Sequence, residues 1–389
     1  MTSEAPTWRM STVGAIADVI GGGTPKTSVP AYWGDDVGWL TPRDLRDYGA
    51  RYISRGERSL TAQGLGESAA RLLPKGTLLV SSRAPIGYVA IAGTELATNQ
   101  GFRSLVLKPS HLPEFYYYVM KTKKHEMEAV AGGSTFKEIS GRVMQTIPVP
   151  VPPFSEQCAI AEVLGALDDR IEWCRSTTVL VEKTLLATVR QARTSERMPV
   201  SALGRFVNGG AYTKDADGTG RLIIRIAELN GGIGPSSKFG DLNAPPERTA
   251  YPGDLLFSWS GTLDVFRWTQ DEAVVNQHIF KVIPADELDN WLVYAKLRDA
   301  MPEFQRIAAD RATTMGHIKR THLDEVMVQA SDLGAEGPAV ELCRGLWKRH
   351  LSLHREASSL ERLRDLLLPE LLSGRLRIDN PERLLEDVA

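Results

Sequence analysis

The sequence predicts an α+β chain built twice. Two similar globules of mixed α/β character with an irregular β-sheet are each followed by a long helix, and the helices pair as an antiparallel coiled coil about a pseudo-twofold axis. Three observations carry this. Gly76-Thr77-Leu78-Leu79-Val80-Ser81 is echoed by Gly253-Asp254-Leu255-Leu256-Phe257-Ser258, and Asn99-Gln100 by Asn276-Gln277, both at an offset of 177 residues. Two heptad stripes follow, one after each globule. The link between the first stripe and the second globule, around Arg193–Pro199, is short, which favours antiparallel over parallel pairing.

The elements follow in order. Gly21-Gly22-Gly23-Thr24-Pro25-Lys26 reads as a turn-forming loop. Val37–Leu40, Leu78–Ser81, Tyr88–Ala92 and Ser104–Lys108 read as short strands bounded by Gly and Pro. Ser110 is the expected cap, with Pro113 in the first turn, of a helix over Phe115–Val130. Its aromatic run Phe115-Tyr116-Tyr117-Tyr118 spreads around the helix and is expected to pack rather than to stack on bases. Pro148, Pro150, Pro152 and Pro153 force an extended exit.

Ser155 can then cap a helix starting at Glu156. Ile160, Leu164, Leu167, Ile171, Cys174, Thr178, Val181 and Leu185 keep a 4-3 spacing over about 35 residues, roughly 50 Å of helix. No single small domain buries such a stripe. After the second globule, Pro338 opens a helix in which Leu346, His350, Leu353, Ala357, Leu360, Arg364, Leu367 and Leu371 repeat the spacing. Pro369 is expected to kink its last turns, and Gly374 to cap it.

Bulk properties narrow the function. The chain has 389 residues and a formal net charge of −2. Residues 1–154 carry 17 Lys/Arg against 13 Asp/Glu, and residues 199–331 carry 14 against 17. A nucleic-acid face must therefore be a local patch, or a partner supplies much of the phosphate neutralisation. Cys158, Cys174 and Cys343 show no paired spacing and read as free thiols of a reducing cytoplasm. No run reaches membrane-span length, so no membrane partner is expected.

The order of motifs resembles the specificity subunit (HsdS) of type I restriction–modification systems. Pro152-Pro153-Phe154-Ser155-Glu156-Gln157, continuing through Leu164, Leu167-Asp168 and Ile171, resembles the family's proline exit and long helix. Gly22-Gly23-Thr24-Pro25, Tyr32-Trp33-Gly34 and Trp39-Leu40-Thr41-Pro42-Arg43-Asp44-Leu45 resemble the opening of a family target recognition domain. Gly133-Ser134-Thr135 and Ile147-Pro148-Val149-Pro150 resemble its close, and Leu371-Leu372-Ser373-Gly374-Arg375-Leu376 the family's terminal helix end. The second half departs from the pattern. Gly209-Gly210-Ala211-Tyr212 replaces Gly-Thr-Pro, no Glu-Gln pair precedes the second helix, and Thr313-Thr314-Met315 stands where Ser134-Thr135-Phe136 stood.

The resemblance implies target recognition domains at 1–154 and 196–335, helices at 155–195 and 336–376, and a tail at 377–389. It implies double-stranded DNA and two methyltransferase (HsdM-like) subunits as partners, with two restriction (HsdR-like) subunits as optional ones. It also implies a specificity chain that is no enzyme and carries no cofactor. The partners would use S-adenosylmethionine for adenine-N6 methylation and ATP with magnesium for restriction. Glu156, Gln157 and Asp168 are the implied partner-binding residues. The competing reading is a protein–protein scaffold with two heads on a coiled coil.

Catalytic signatures are missing, in keeping with this. Val151-Pro152-Pro153-Phe154 has the prolines and ring of an amino-methyltransferase loop but no side chain to hold an amine, and Asn243-Ala244-Pro245-Pro246 lacks the ring. Gly21–Gly23 is no GxGxxG, and there is no phosphate-binding GxxxxGK[ST]. His350 and His354 stand one turn apart without a third ligand, so packing or surface roles are expected rather than metal.

Bases are read by Arg, Lys, Asn, Gln, Ser and Thr, and phosphates are held by Lys, Arg and amides. Loop positions of the repeated scaffold supply the candidates. In the first half they are Lys26, Arg43, Arg83, Arg103, Ser134, Thr135 and Lys137. In the second they are Tyr212, Lys214, Arg225, Trp259, Ser260, His278, Arg311, Thr313 and His317. Arg83 reads equally as a solvated surface arginine, and Trp259 equally as a wedge against bases or a core ring. Asn99-Gln100, present in both halves, is expected to be structural.

Overall fold

The computed structural model describes residues 8–46, 48–133, 137–309, 317–331, 333 and 336–378. Two compact units divide the chain: residues 1–172 with 359–389, and residues 173–358.

In chain order, β1 (Arg9–Thr12), α1 (Val13–Ile16), β2 (Ala17–Gly21), β3 (Trp33–Leu40), β4 (Tyr52–Ile53), β5 (Arg58–Leu60) and α2 (Ala62–Gly66) open the first unit. Then come β6 (Leu78–Ser82), β7 (Ile86–Ala92), β8 (Leu96–Thr98), β9 (Phe102–Leu107), α3 (Pro113–Thr122), α4 (Lys124–Val130), α5 (Gly141–Thr146), β10 (Pro148–Val151) and the long α6 (Phe154–Gln191). Three sheets form, in orders β2-β9-β6-β7-β4, β5-β3-β8 and β1-β10.

The second half runs β11 (Arg193–Pro199), β12 (Gly204–Asn208), β13 (Arg221–Ile224), α7 (Ile226–Gly231), β14 (Lys238–Gly240), β15 (Thr249–Ala250), β16 (Leu255–Ser258), β17 (Asp264–Arg267), β18 (Ala273–Val275), β19 (Ile279–Pro284), α8 (Asn290–Ala309), α9 (His322–Glu325), β20 (Met327–Ser331) and α10 (Pro338–Leu372). Its sheets are β12-β19-β16-β17, β14-β13-β18-β15 and β11-β20. Most pairings of the first unit return in the second, but β4 edges the larger sheet beside β7 whereas β15 edges the other sheet beside β18. Even the single parallel neighbour of the central strand recurs, as β3 with β8 and as β13 with β18.

The first core gathers Val13, Leu78, Val80, Phe115 to Met120, Ile147 and Val149 with Ile160 and Leu164 of α6 and Leu371 of α10. The aromatic run of α3 is buried throughout, as the helical spread of its rings predicts. In the second unit Leu185 and Val189 of α6 join Phe257, Val265, Trp291 and Phe304, together with Val340, Cys343 and Trp347 of α10. A smaller cluster there joins Cys174 and Val181 to Leu353 and Ala357. All eight heptad positions of α6 are buried, including Thr178, whose hydroxyl donates back to Cys174 O at 2.8 Å. Within each unit the α10 partners run backwards as α6 runs forwards. In the first unit Asp168 also accepts from Tyr118 Oη at 2.7 Å and from Arg364 Nη1 at 2.9 Å.

Several boundaries differ from expectation. Ser110 does not cap α3. The N-cap residue is Leu112, and the chain there is held from 45 residues away: Gln157 Oε1 accepts from Leu112 N at 2.8 Å and Gln157 Nε2 donates to Ser110 O and Pro152 O. The segment expected as one helix is two, broken at Lys123. The central helix begins at Phe154, ahead of Ser155, and spans 38 residues. α10 continues past Pro369 to Leu372. There Gly374 takes a left-handed φ of 72° and donates its N–H to Leu371 O at 3.2 Å, a helix-ending turn that L side chains resist.

Among the described residues no group of three ligating side chains occurs. His350 is 5% exposed, lies against Trp347 and His354, and its Nδ1 has no partner among the described residues. Burial, then His354, then Arg267 pull its pKa down to about 3. The unfolded chain therefore takes up a proton that the folded one refuses. Stability is complete above about pH 6.5 and drains as the pH falls towards 3. Between pH 8 and pH 5 this one group should cost about 2 kcal/mol. The melting temperature of His350→Leu, measured across that range, should fall less steeply than that of the parent chain.

Candidate nucleic-acid interface

The repeat extends to individual hydrogen bonds. Gly23 N donates to Thr98 O and Gly210 N to Val275 O; Asn99 N donates to Leu40 O and Asn276 N to Ile224 O. Ser82 N meets Gly101 O as Trp259 N meets His278 O, and Ile139 N meets Ser82 O as Ile318 N meets Trp259 O. These pairs set up a position-by-position equivalence. One of its anchors is a close approach: a Cβ on Gly22 would overlap the carbonyl oxygens of Thr98 and Asn99, and one on Gly209 those of Val275 and Asn276. The Asn99-Gln100 turn is thus scaffold. Asn99 Oδ1 accepts from Gly101 N at 2.8 Å, and Gln100 holds the Thr24 hydroxyl.

Around that turn the candidates of the first head fall into two groups. Arg83, in the β6–β7 turn, and Arg103, on β9, converge on Glu138, at 3.3 and 2.8 Å. Arg103 also donates to Phe102 O at 2.9 Å and Gln100 O at 3.2 Å. Lys26, Arg43 and Lys137 are exposed, Lys26 on the glycine loop and Arg43 in the tight turn after β3. Ser134 and Thr135 lie outside the described residues.

In the second head Trp259 is half-buried. Its Nε1 donates to Asn208 Oδ1 at 3.0 Å, and its ring lies 5.1 Å from His278 and 6.0 Å from Phe280. Ser260 bridges to His317, which puts Trp259, Ser260, His278 and His317 on one facet. Tyr212 and Lys214 sit in the turn after β12. Arg225 also lines the groove that contains Thr213, Lys238 and His278, but its fork closes on Glu228 at 2.5 and 3.0 Å. Burial opposes the charge of Glu228; the hydrogen bonds from Arg225 outweigh it and hold the carboxyl below its usual range. The same cap occurs in the first head, where Thr41 pairs with Asp44. Arg311 and Thr313 lie outside the described residues.

Glu138 is the residue that sequence reasoning missed. Nothing in the sequence places it 55 residues from Arg83 in contact with that arginine. Glu156, Gln157 and Asp168 are engaged inside the first unit. Glu156 accepts from Trp8 Nε1 at 3.0 Å, Gln157 holds the Leu112 amide ahead of α3, and Asp168 holds Tyr118 and Arg364. No helix of the described residues is long and apolar enough to cross a membrane.

The glycine-over-carbonyl contact gives a test. Gly22→Ala should destabilise the first unit by about 2 kcal/mol or more, since backbone oxygens cannot move aside. Gly66→Ala, into open space at the end of α2, should be neutral or slightly stabilising. Thermal melts of the two variants against the parent decide it.

Comparison with known proteins agrees with the sequence resemblance. Residues 6–181 match the type I restriction modification DNA specificity domain. The chain is 30% identical, over 96% of its length and 94% of the relative's, to the type I restriction enzyme MjaIX specificity subunit of Methanocaldococcus jannaschii. A shorter match, 22% identical over 52% of this chain and 41% of the relative, is to the type I restriction enzyme HindI specificity subunit of Haemophilus influenzae. The fold is that of the type I restriction–modification S subunit from M. genitalium, with a TM-score of 0.61 at 16% identity, covering 96% of this chain and 98% of that one. The chain therefore belongs to the family of type I restriction enzyme specificity subunits, and its role is DNA sequence specificity.

Proposed function

We propose that this chain chooses the DNA site for a type I restriction–modification complex by reading two different half-sites, one with each head. The observation that carries this is the repeated backbone: the same turns, caps and ladders recur while the side chains at equivalent loop positions differ. Identical half-sites would be served by identical facets, so differing facets imply an asymmetric site. Target recognition domains at 1–154 and 196–335 would alternate with helices at 155–195 and 336–376, the helices pairing antiparallel about a pseudo-twofold axis. Helices of 38 and 35 residues are about 57 and 53 Å long. That exceeds the roughly 34 Å of one DNA turn and leaves an unread spacer between the half-sites.

Base contacts are proposed for Arg83 with Ser134 and Thr135 in the first head, Arg103 supporting them from behind, and for Trp259, Ser260, His278, Thr313 and His317 in the second. Lys26, Arg43, Lys137, Tyr212, Lys214, Arg225 and Arg311 are proposed to position the duplex. Catalysis belongs to partners: two methyltransferase subunits transferring a methyl group from S-adenosylmethionine to adenine N6, with ATP- and magnesium-dependent restriction subunits as further members. Glu156, Gln157 and Asp168 fix the helix that such a partner would grip. The exposed Phe154 beside them gives it an apolar foothold.

Removing one heptad from both long helices should change or abolish the permitted spacer while leaving both half-site sequences intact. Mapping methylated adenines in cells carrying the parent or the shortened gene reads this directly. An unchanged spacer refutes the ruler, and a parent pattern indifferent to sequence refutes the function.

A further inference from the structure

The equivalence of the heads isolates where they differ in chemistry. At the scaffold position of Arg83 the second head has Ser260; at that of Arg103 it has Phe280; at that of Glu138 it has His317. The first head thus holds a charged triad where the second has none.

The triad is graded in burial. The Arg103 side chain is 18% exposed and its fork is taken up by Glu138 Oε1 and two backbone carbonyls. Glu138 is 32% exposed and is fixed twice over: its backbone pairs with Gly132, and the neighbouring Ile139 N–H bonds to Ser82 O. Arg83 is 36% exposed and meets Glu138 through a single 3.3 Å contact, leaving most of its five donors uncommitted within the triad. It precedes Ala84, which holds a left-handed φ of 50°; the second head has Gly261 there, at 67°. A tight, constrained turn therefore carries Arg83, and a clamped carboxylate limits its swing.

We propose that Glu138 is a positioning residue that orients Arg83 to read a guanine in the first half-site, with Arg103 as the clamp on Glu138. This rests on the DNA-reading function proposed above and adds the base and the residue. The acid decides between two uses of Arg83. A carboxylate beside an arginine repels a phosphate, which carries a full negative charge, more strongly than the uncharged edge of a base. An arginine fork matches guanine O6 and N7, the commonest specific contact in the major groove. Orienting the fork beforehand reduces the side-chain freedom lost on binding.

The test uses the full chain assembled with its methyltransferase partner, bound to a pool of random duplexes that is then sequenced. The parent complex should show one G·C pair whose preference falls about tenfold or more in Arg83→Ala and is not restored by Arg83→Lys. Glu138→Gln, isosteric and with its fold checked by melting, should weaken preference at that same pair and nowhere else. The second half-site should be unchanged in all three variants. Uniformly weaker binding with a shallower salt dependence in Arg83→Ala would make Arg83 a phosphate contact and overturn the proposal. Full discrimination in Glu138→Gln would overturn the positioning role. A parent complex with no consensus would instead remove the DNA-reading function on which both rest.

Discussion

The apolar stripe of α6 is longer than any one core of this chain, and the fold is arranged around that fact. Ile160 and Leu164 are buried in the first unit, and Cys174, Val181, Leu185 and Val189 in the second. Neither unit closes on α6 alone. The first takes back the end of the chain: Leu371 of α10 is fully buried beside residues as early as Val13. Burying such a leucine is worth about 1.5–3 kcal/mol, and Arg364 on Asp168 fixes its register with a geometry that a sliding helix would break. The last turns of α10 are therefore part of the first head's core, although more than 200 residues of chain intervene.

Given that frame, the conserved and variable parts of the two heads separate on physical grounds. Positions that differ only where backbone permits are few: no Cβ can replace the hydrogens of Gly22 or Gly209, and both copies keep glycine. The backbone N–H groups of Asn99 and Asn276 complete the same ladder, to Leu40 and Ile224, a role that does not itself require asparagine. Beyond these contacts the turn side chains are released from structural duty. Ser82 becomes Trp259 and Gly101 becomes His278 while the backbone N–H to C=O bond between the two positions is kept. A scaffold of this kind can change what it reads while keeping how it folds.

Legibility in the sequence followed the range of the interactions. The heptad stripe was readable because its period is local; all eight α6 positions proved buried. The buried aromatic run of α3 was readable for the same reason. The start of α3 was not: Ser110 had cap chemistry two residues ahead of the N-cap Leu112, but Gln157 holds the Leu112 amide from another element, and no local rule reports that. Arg225 shows the converse. Its bidentate bond to Glu228 mirrors Thr41 with Asp44, so the three-residue spacing shared by the two halves carried the signal, but an arginine in a cap is chemically unfamiliar. Glu138 had no local signature, because its meaning lies in two arginines brought to it by β6 and β9.

The charge balance of the chain gains a reason from this arrangement. Several arginines of the two heads are matched by acids: Arg83 and Arg103 by Glu138, Arg225 by Glu228, Arg205 by Glu247. Each match reduces the attraction for phosphate that an unpaired cation would exert on any sequence. It also sharpens the contrast between right and wrong bases, since a donor that leaves a carboxylate must be met by an equally good acceptor. A reader built this way sacrifices sequence-independent affinity for discrimination. With a formal charge of −2, the chain would then depend on its partner subunits for most of the grip on the duplex, and contribute chiefly the choice of where that grip closes.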